Sequence, residues 1–212
     1  MSEKCTKPAE VRKAVDAYND ERNCGEEDER CWEKTAQARE LIFGSNHSPG
    51  APKELSAYAE TIRLWGSIQG VARDDYPRAA AVLWGNAVRH RVQGLKDRNI
   101  LTARLSEVVG LEEAVVDGMA SAGIRRRHYS WSSKMLHFLL PATMPVYDSI
   151  VREYLGTAEG VDAYRAIATR AQACVRALAP YEAEVVGHLE PRTLLRAIDK
   201  FYWWEGRRTA AR

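Results

Sequence analysis

The sequence predicts an all-α fold of about ten helices, many of them short. No run of four to eight residues alternates apolar and polar side chains between hairpin turns. Apolar residues recur instead at three- and four-residue spacing along almost the whole chain. Glycines and prolines fall between these periodic segments, where they stop helices. At 212 residues the chain is long enough to bury a sizeable core.

The elements follow in order. Ala9 to Arg22 and Glu26 to Phe43 are predicted as two polar, acid-rich helices, and Gly44 to Pro52 as a loop carrying glycine and proline breakers. Lys53 to Gly70 is amphipathic, with Leu55, Tyr58, Ile62 and Trp65 on one face. A helix starts near Asp75 with Pro77 in its first turn and runs past Trp84 towards Val92. Asn99 to Val109 and Leu111 to Ala122 are predicted as two short helices, with Gly110 and Gly123 as their stops. Ser130 to Leu140 ends at Pro141, and Ser130 or Ser132 can cap it. Asp148 to Leu155 stops at Gly156. Gly160 to Leu178 is long and alanine-rich. Pro191 to Glu205 closes the chain, with Pro191 in its first turn and Gly206 just past its end. Tyr202, Trp203 and Trp204 on it read as a core or docking anchor.

Composition bounds the function without naming it. Hydrophobic residues at 45% and charged residues at 28% exclude a collagen, a disulfide scaffold and wholesale disorder. No apolar run is long enough for a membrane span, and the N-terminus lacks the apolar core of a signal peptide. A cytoplasmic protein is therefore expected, with Cys5, Cys24, Cys31 and Cys174 as thiols and Cys174 as a small buried residue. Three of these cysteines with His47 match no standard zinc spacing, so no metal is expected. The first sixty residues carry a balance of −4 and the remainder +6. Residues 1–50 read as an acidic helical extension and 51–212 as the main domain, whose modest positive charge suits a polyanion. After residue 60 only Lys96, Lys134 and Lys200 interrupt an arginine-rich background, so each lysine is worth placing.

Lys134 is the informative one. On a helix it shares its face with Trp131, His137 and Phe138. Apolar surroundings desolvate an amine and favour its neutral, nucleophilic form. Pro141 and Pro145 bracket a stiff loop that leads into Asp148 at an N-cap position, where backbone N–H groups hold a carboxylate ionised. Fourteen residues thus separate an amine and a carboxylate that can face each other across one cleft.

The run SSKMLHFLLPATMPVYDSIV, residues 132–151, resembles the catalytic segment of helix-hairpin-helix DNA glycosylases, particularly the 8-oxoguanine DNA glycosylase-like branch. The resemblance implies a two-lobed, all-helical fold with a central cleft. It implies that Lys134 attacks the sugar C1′ as the nucleophile, forming a Schiff base that permits β-elimination. Asp148 would stabilise the charge developing on the sugar. Where the family carries hairpin glycines, this chain has Arg125, Arg126, Arg127 and His128, which with Ser130 would grip phosphate by side-chain contacts. Tyr129, Trp131, His137 and Phe138 would supply the π-surface for an extruded base. Double-stranded DNA is the implied partner of a monomer, and the chemistry needs no cofactor; no cysteine set for an iron–sulfur cluster follows. The alternative is a helical DNA- or protein-binding module in which Lys134 and Asp148 form an inert ion pair.

Overall fold

The computed structural model describes residues 3–21, 24–44, 50–66, 68–125, 128–186 and 193–210, without the side chains of residues 3, 4 and 24–27. It is all-α: α1 (Pro8–Asp20), α2 (Cys24–Phe43), α3 (Ala51–Trp65), α4 (Asp75–Trp84), α5 (Asn86–Gly94), α6 (Leu105–Ser121), α7 (Tyr129–Leu139), α8 (Ser149–Leu155), α9 (Val161–Leu178), α10 (Glu182–Val186) and α11 (Leu194–Ala210). Single 3₁₀ turns precede α1 and α10, and no β-strand occurs among the described residues.

The core is built around α7. Every residue of that helix except Ser130 is buried. Trp131, Met135, Leu136, Phe138 and Leu139 supply its apolar surface, and the polar Ser132, Ser133, Lys134 and His137 are buried with hydrogen-bond partners. Helices α2, α3 and α6 pack against it. Two side chains fasten it to α3: the Tyr58 hydroxyl donates to Met135 O at 2.5 Å, and the Trp131 indole N–H donates to Ala59 O at 3.0 Å. Helix α11 is the second organising element and packs against α1, α8 and α9. Its Gly206 lies so close to α8 that a Cβ there would meet Ile150 Cγ2 at 2.6 Å. Gly206 is therefore a contact glycine inside α11 and not the stop the sequence predicts.

Three other boundaries differ from expectation. The predicted helix from Asp75 to Val92 is two helices, because Gly85 takes an extended ψ of 136° and α5 restarts at Asn86. Gly110 does not stop a helix. Burial of Val108, Val109, Leu111 and Val115 outweighs the roughly 1 kcal/mol a mid-helix glycine costs, and α6 runs through it. Asn99 instead makes a turn, its side chain accepting from the Leu101 and Thr102 amides. Pro191 and His47 lie outside the described residues.

The first two helices contribute Val11, Ala14, Val15, Cys31, Ala38 and Ile42 to the same buried cluster as the rest of the chain. Cys5 and Cys174 are joined in a disulfide, their Cα atoms 5.8 Å apart, contrary to the expectation of thiols. The cause is tertiary: the turn before α1 packs on α9, which no sequence spacing reveals. Among the described residues no helix is long and apolar enough to cross a membrane, and no cluster of three or more metal-ligating side chains occurs.

Candidate active site

The link from α7 to α8 places the two central side chains. After α7 the chain turns at once: the Thr143 and Met144 amides both donate to Leu140 O, at 2.9 and 3.0 Å. Residues 144–148, outside any helix, then return along α7. His137 Nδ1 meets Met144 O at 2.7 Å, and the Tyr147 amide donates to Ser133 Oγ at 2.9 Å. Asp148 caps α8, its Oδ1 accepting from the Ile150 amide at 2.9 Å. Its Oδ2 accepts from Lys134 Nζ at 2.8 Å. The pair is nearly dry, the two side chains being 5% and 15% exposed. Burial raises the Asp148 carboxyl, but the Lys134 ammonium and the Ile150 amide outweigh it and hold the group below the usual carboxylate value.

The pair stands where two cavities meet. One, of about 570 Å³, is lined by Gln69, His128, Tyr129, Ser130, Tyr147 and Glu159. The other, of about 360 Å³, has Tyr18, Trp65 and Trp203 as aromatic walls and Arg196 and Asp199 as polar ones. Gly66, Lys134, Asp148 and Ser149 border both. Gly66 makes room for the stem of Lys134, since a Cβ there would meet Lys134 Cδ at 3.0 Å. The Lys134 amine lies 5.6 Å from the Trp65 ring centroid, within cation–π reach.

A buried ionic cluster supports the second cavity. Arg196 donates to both oxygens of Asp28, at 2.9 and 3.0 Å, to the Tyr18 hydroxyl and to Asp199. Lys200 reaches Asp28 at 3.0 Å and Asn19 at 2.7 Å, while the Trp65 indole N–H donates to Asp28 at 2.9 Å. Burial acts to raise Asp28, but Arg196 and Lys200 overcome it, so Asp28 stays ionised. At Asp199 burial prevails over Arg196, aided by the neighbouring Asp148 charge, and its carboxyl is raised. Asp148 and Asp199, which border one cavity, are thus pushed in opposite directions, a pattern suited to acid–base work.

The predicted residues divide cleanly. Lys134 and Asp148 are brought together. His128, Tyr129 and Ser130 line the larger cavity. Arg125 is exposed on the preceding loop and borders neither cavity, while Arg126 and Arg127 lie outside the described residues. Trp131, His137 and Phe138 are fully buried and line neither cavity, so their assignment as a stacking surface is corrected. Trp131 is held by Ala59 O, and Phe138 sits edge-on between Trp32 and Trp65. His137 is pushed down to about 3 by burial and by Arg196, and is neutral. Ser130 and Ser132 lie within α7 and do not cap it.

Sequence reasoning passed over Tyr18 and Asp199 and read Trp65 and Trp203 as packing residues, not as cavity walls. One signal was available: Asp199 and Trp203 are four apart on a helix and share a face. Asp28 gave none, lying in a run of surface-like acids. No family model, curated protein or solved structure matches the chain.

Proposed function

We propose that this protein is a DNA base-excision glycosylase with associated lyase activity, in which Lys134 is the nucleophile and Asp148 its electrostatic partner. The observation that carries the reading is the nearly dry 2.8 Å pair between them, placed at the junction of two cavities, one of them aromatic-walled. A duplex nucleotide must leave the stack before its C1′ can meet an amine, and an extruded base needs a flat π-surface with hydrogen-bonding groups at its edge. Trp65, Trp203 and Tyr18 offer the first, and Asp199 and Arg196 the second. The wider cavity beside Ser130 and His128 takes the sugar and its phosphates.

The steps balance on these groups. Asp148 takes a proton from Lys134, and the neutral amine attacks C1′. The glycosidic bond breaks with its electron pair passing to the base, which recovers the proton from Asp148. One ammonium proton then passes to O4′ as the C1′–O4′ bond breaks, leaving a protonated imine on Lys134; the Asp148 carboxylate takes a 2′ proton, and the C3′–O bond breaks with its electron pair leaving on the 3′ phosphate. No cofactor takes part. The fold in this reading is a two-lobed helix-hairpin-helix arrangement, with α6 and α7 as the hairpin helices. Arg125, exposed after α6, contacts phosphate. The protein works as a monomer on double-stranded DNA in the cytosol. The resemblance of residues 132–151 makes 8-oxoguanine the first lesion to test.

Free-base release from duplexes carrying single modified bases tests the reading. Wild type is expected to release at least one, and Lys134→Gln to lose about three orders of magnitude or more in rate while keeping its helical circular dichroism. Activity retained in Lys134→Gln overturns it. The saturated Lys134–Asp148 pair favours a second reading, a binding module without chemistry. That module would bind duplex DNA with a steep salt dependence and release no base.

A further inference from the structure

Between α7 and the segment 144–148 lies a side chain that neither cavity uses. Ser133 is fully buried. Its Oγ accepts from the Tyr147 amide at 2.9 Å, and its hydroxyl proton is shared between Tyr147 O at 3.3 Å and Ser130 O at 3.4 Å. Both backbone polar groups of Tyr147 are therefore satisfied by one hydroxyl, immediately before the residue that faces Lys134. One turn further along α7, His137 meets Met144 O. Together these contacts stitch the segment to the helix that carries the amine.

We propose that Ser133 is a positioning residue that sets the distance between Lys134 and Asp148. The backbone on the carboxylate's C-terminal side is fixed by the helix cap, through the Ile150 amide on Oδ1. On its N-terminal side the nearest restraint is Ser133. Lys134 sits next to Ser133 on the same helix, so one rigid element holds the amine and anchors the turn that presents the carboxylate. Without the hydroxyl, the buried Tyr147 amide has lost its acceptor and the turn must move to find another. Asp148 then retreats from Lys134 while keeping its cap. Asp199 from α11 is the other charged group facing this carboxylate, and it repels it.

The catalytic part of this role rests on the glycosylase reading, whereas the positioning part does not. The test uses the full chain with ¹³C-labelled aspartate carboxyls, titrated by NMR, with Asp148→Asn to assign the signal. In wild type Asp148 titrates below an ordinary aspartate. In Ser133→Ala it rises by at least about half a pH unit. Ser133→Cys, of similar shape but a weaker acceptor, gives a smaller rise and serves if the alanine variant fails to fold. Ser133→Thr, which keeps the hydroxyl, restores the wild-type value. In base-release assays Ser133→Ala lowers kcat about tenfold with KM changed less than about twofold, and Ser133→Thr recovers it. An Asp148 titration unmoved in folded Ser133→Ala and Ser133→Cys overturns the proposal, as does a kcat loss matched by the loss of folded protein. If wild type releases no base, the glycosylase reading fails and the titration alone still decides the role of Ser133.

Discussion

Lys134 shows how much a single side chain's setting depends on what its neighbours leave out. Its stem passes Gly66, whose φ of −78° is ordinary for any residue, so only the missing Cβ matters there. An alanine at position 66 fits the backbone, and its Cβ would meet the flexible side chains of Ile68 and Lys134 at 3.0 Å, so both must give by a few tenths of an ångström. Gly66→Ala is therefore expected to leave thermal stability unchanged or slightly raised, and to lower base-release kcat about five- to tenfold, a barrier change of about 1 kcal/mol. An unchanged kcat would show that the stem has slack. The pairing of Lys134 with Asp148 was legible in the sequence because a helix, a proline-bracketed turn and an N-cap fix local geometry almost alone. The aromatic walls were not. Trp131 and Phe138 have the same helical spacing to Lys134 that a stacking surface would have, and their burial is decided by α2 and α3 arriving from far along the chain.

At the scale of elements, the seam between α6, α7 and α9 carries a buried acid. Glu112 is fully buried; its Oε1 accepts from the Ser132 hydroxyl, and neither its Oε2 nor the nearby Tyr164 hydroxyl has a hydrogen-bond partner among the described residues. Burial raises Glu112 to about 8, with Ser132 opposing, and burial together with Glu112 raises Tyr164. The folded value lies above the unfolded one, so between them the native state holds one proton more than the unfolded chain. Stability therefore falls as pH rises from about 4.5 to about 8, and levels off above. The shift corresponds to an upper limit on the order of 5 kcal/mol. Glu112→Gln, neutral at all pH, is expected to flatten this slope and to be the more stable protein at pH 8 in urea titrations. A slope equal to that of wild type would place the proton elsewhere. Element boundaries were the least legible feature at this scale. Gly85 breaks a helix and Gly110 does not, and the difference is the burial around Gly110, which only the packed structure supplies.

Taken whole, the molecule draws its candidate site from both ends of the chain. Tyr18 and Asp28 come from α1 and α2, while Arg196, Asp199 and Trp203 come from α11. The acid-rich first segment looked like surface in the sequence because the counter-ions of Asp28 lie more than 160 residues away. A buried cluster of this kind adds specificity more than stability, since desolvation offsets most of its Coulomb gain. The Cys5–Cys174 disulfide ties the start of the chain to α9 across 169 residues. Cys5→Ser is expected to lower unfolding stability by about 2–5 kcal/mol under oxidising conditions, and wild type treated with a dithiol should match it. A variant as stable as the oxidised wild type would mean that the helices hold the N-terminus without the bond.

Borohydride trapping of the full chain on duplex DNA carrying the released base is the most direct measurement of the central claim. The account predicts a covalent protein–DNA adduct whose proteolytic fragments place the modification on Lys134, absent from Lys134→Gln and reduced in Gly66→Ala. A wild-type adduct mapped to another amine, or an adduct that forms equally in Lys134→Gln, would contradict it.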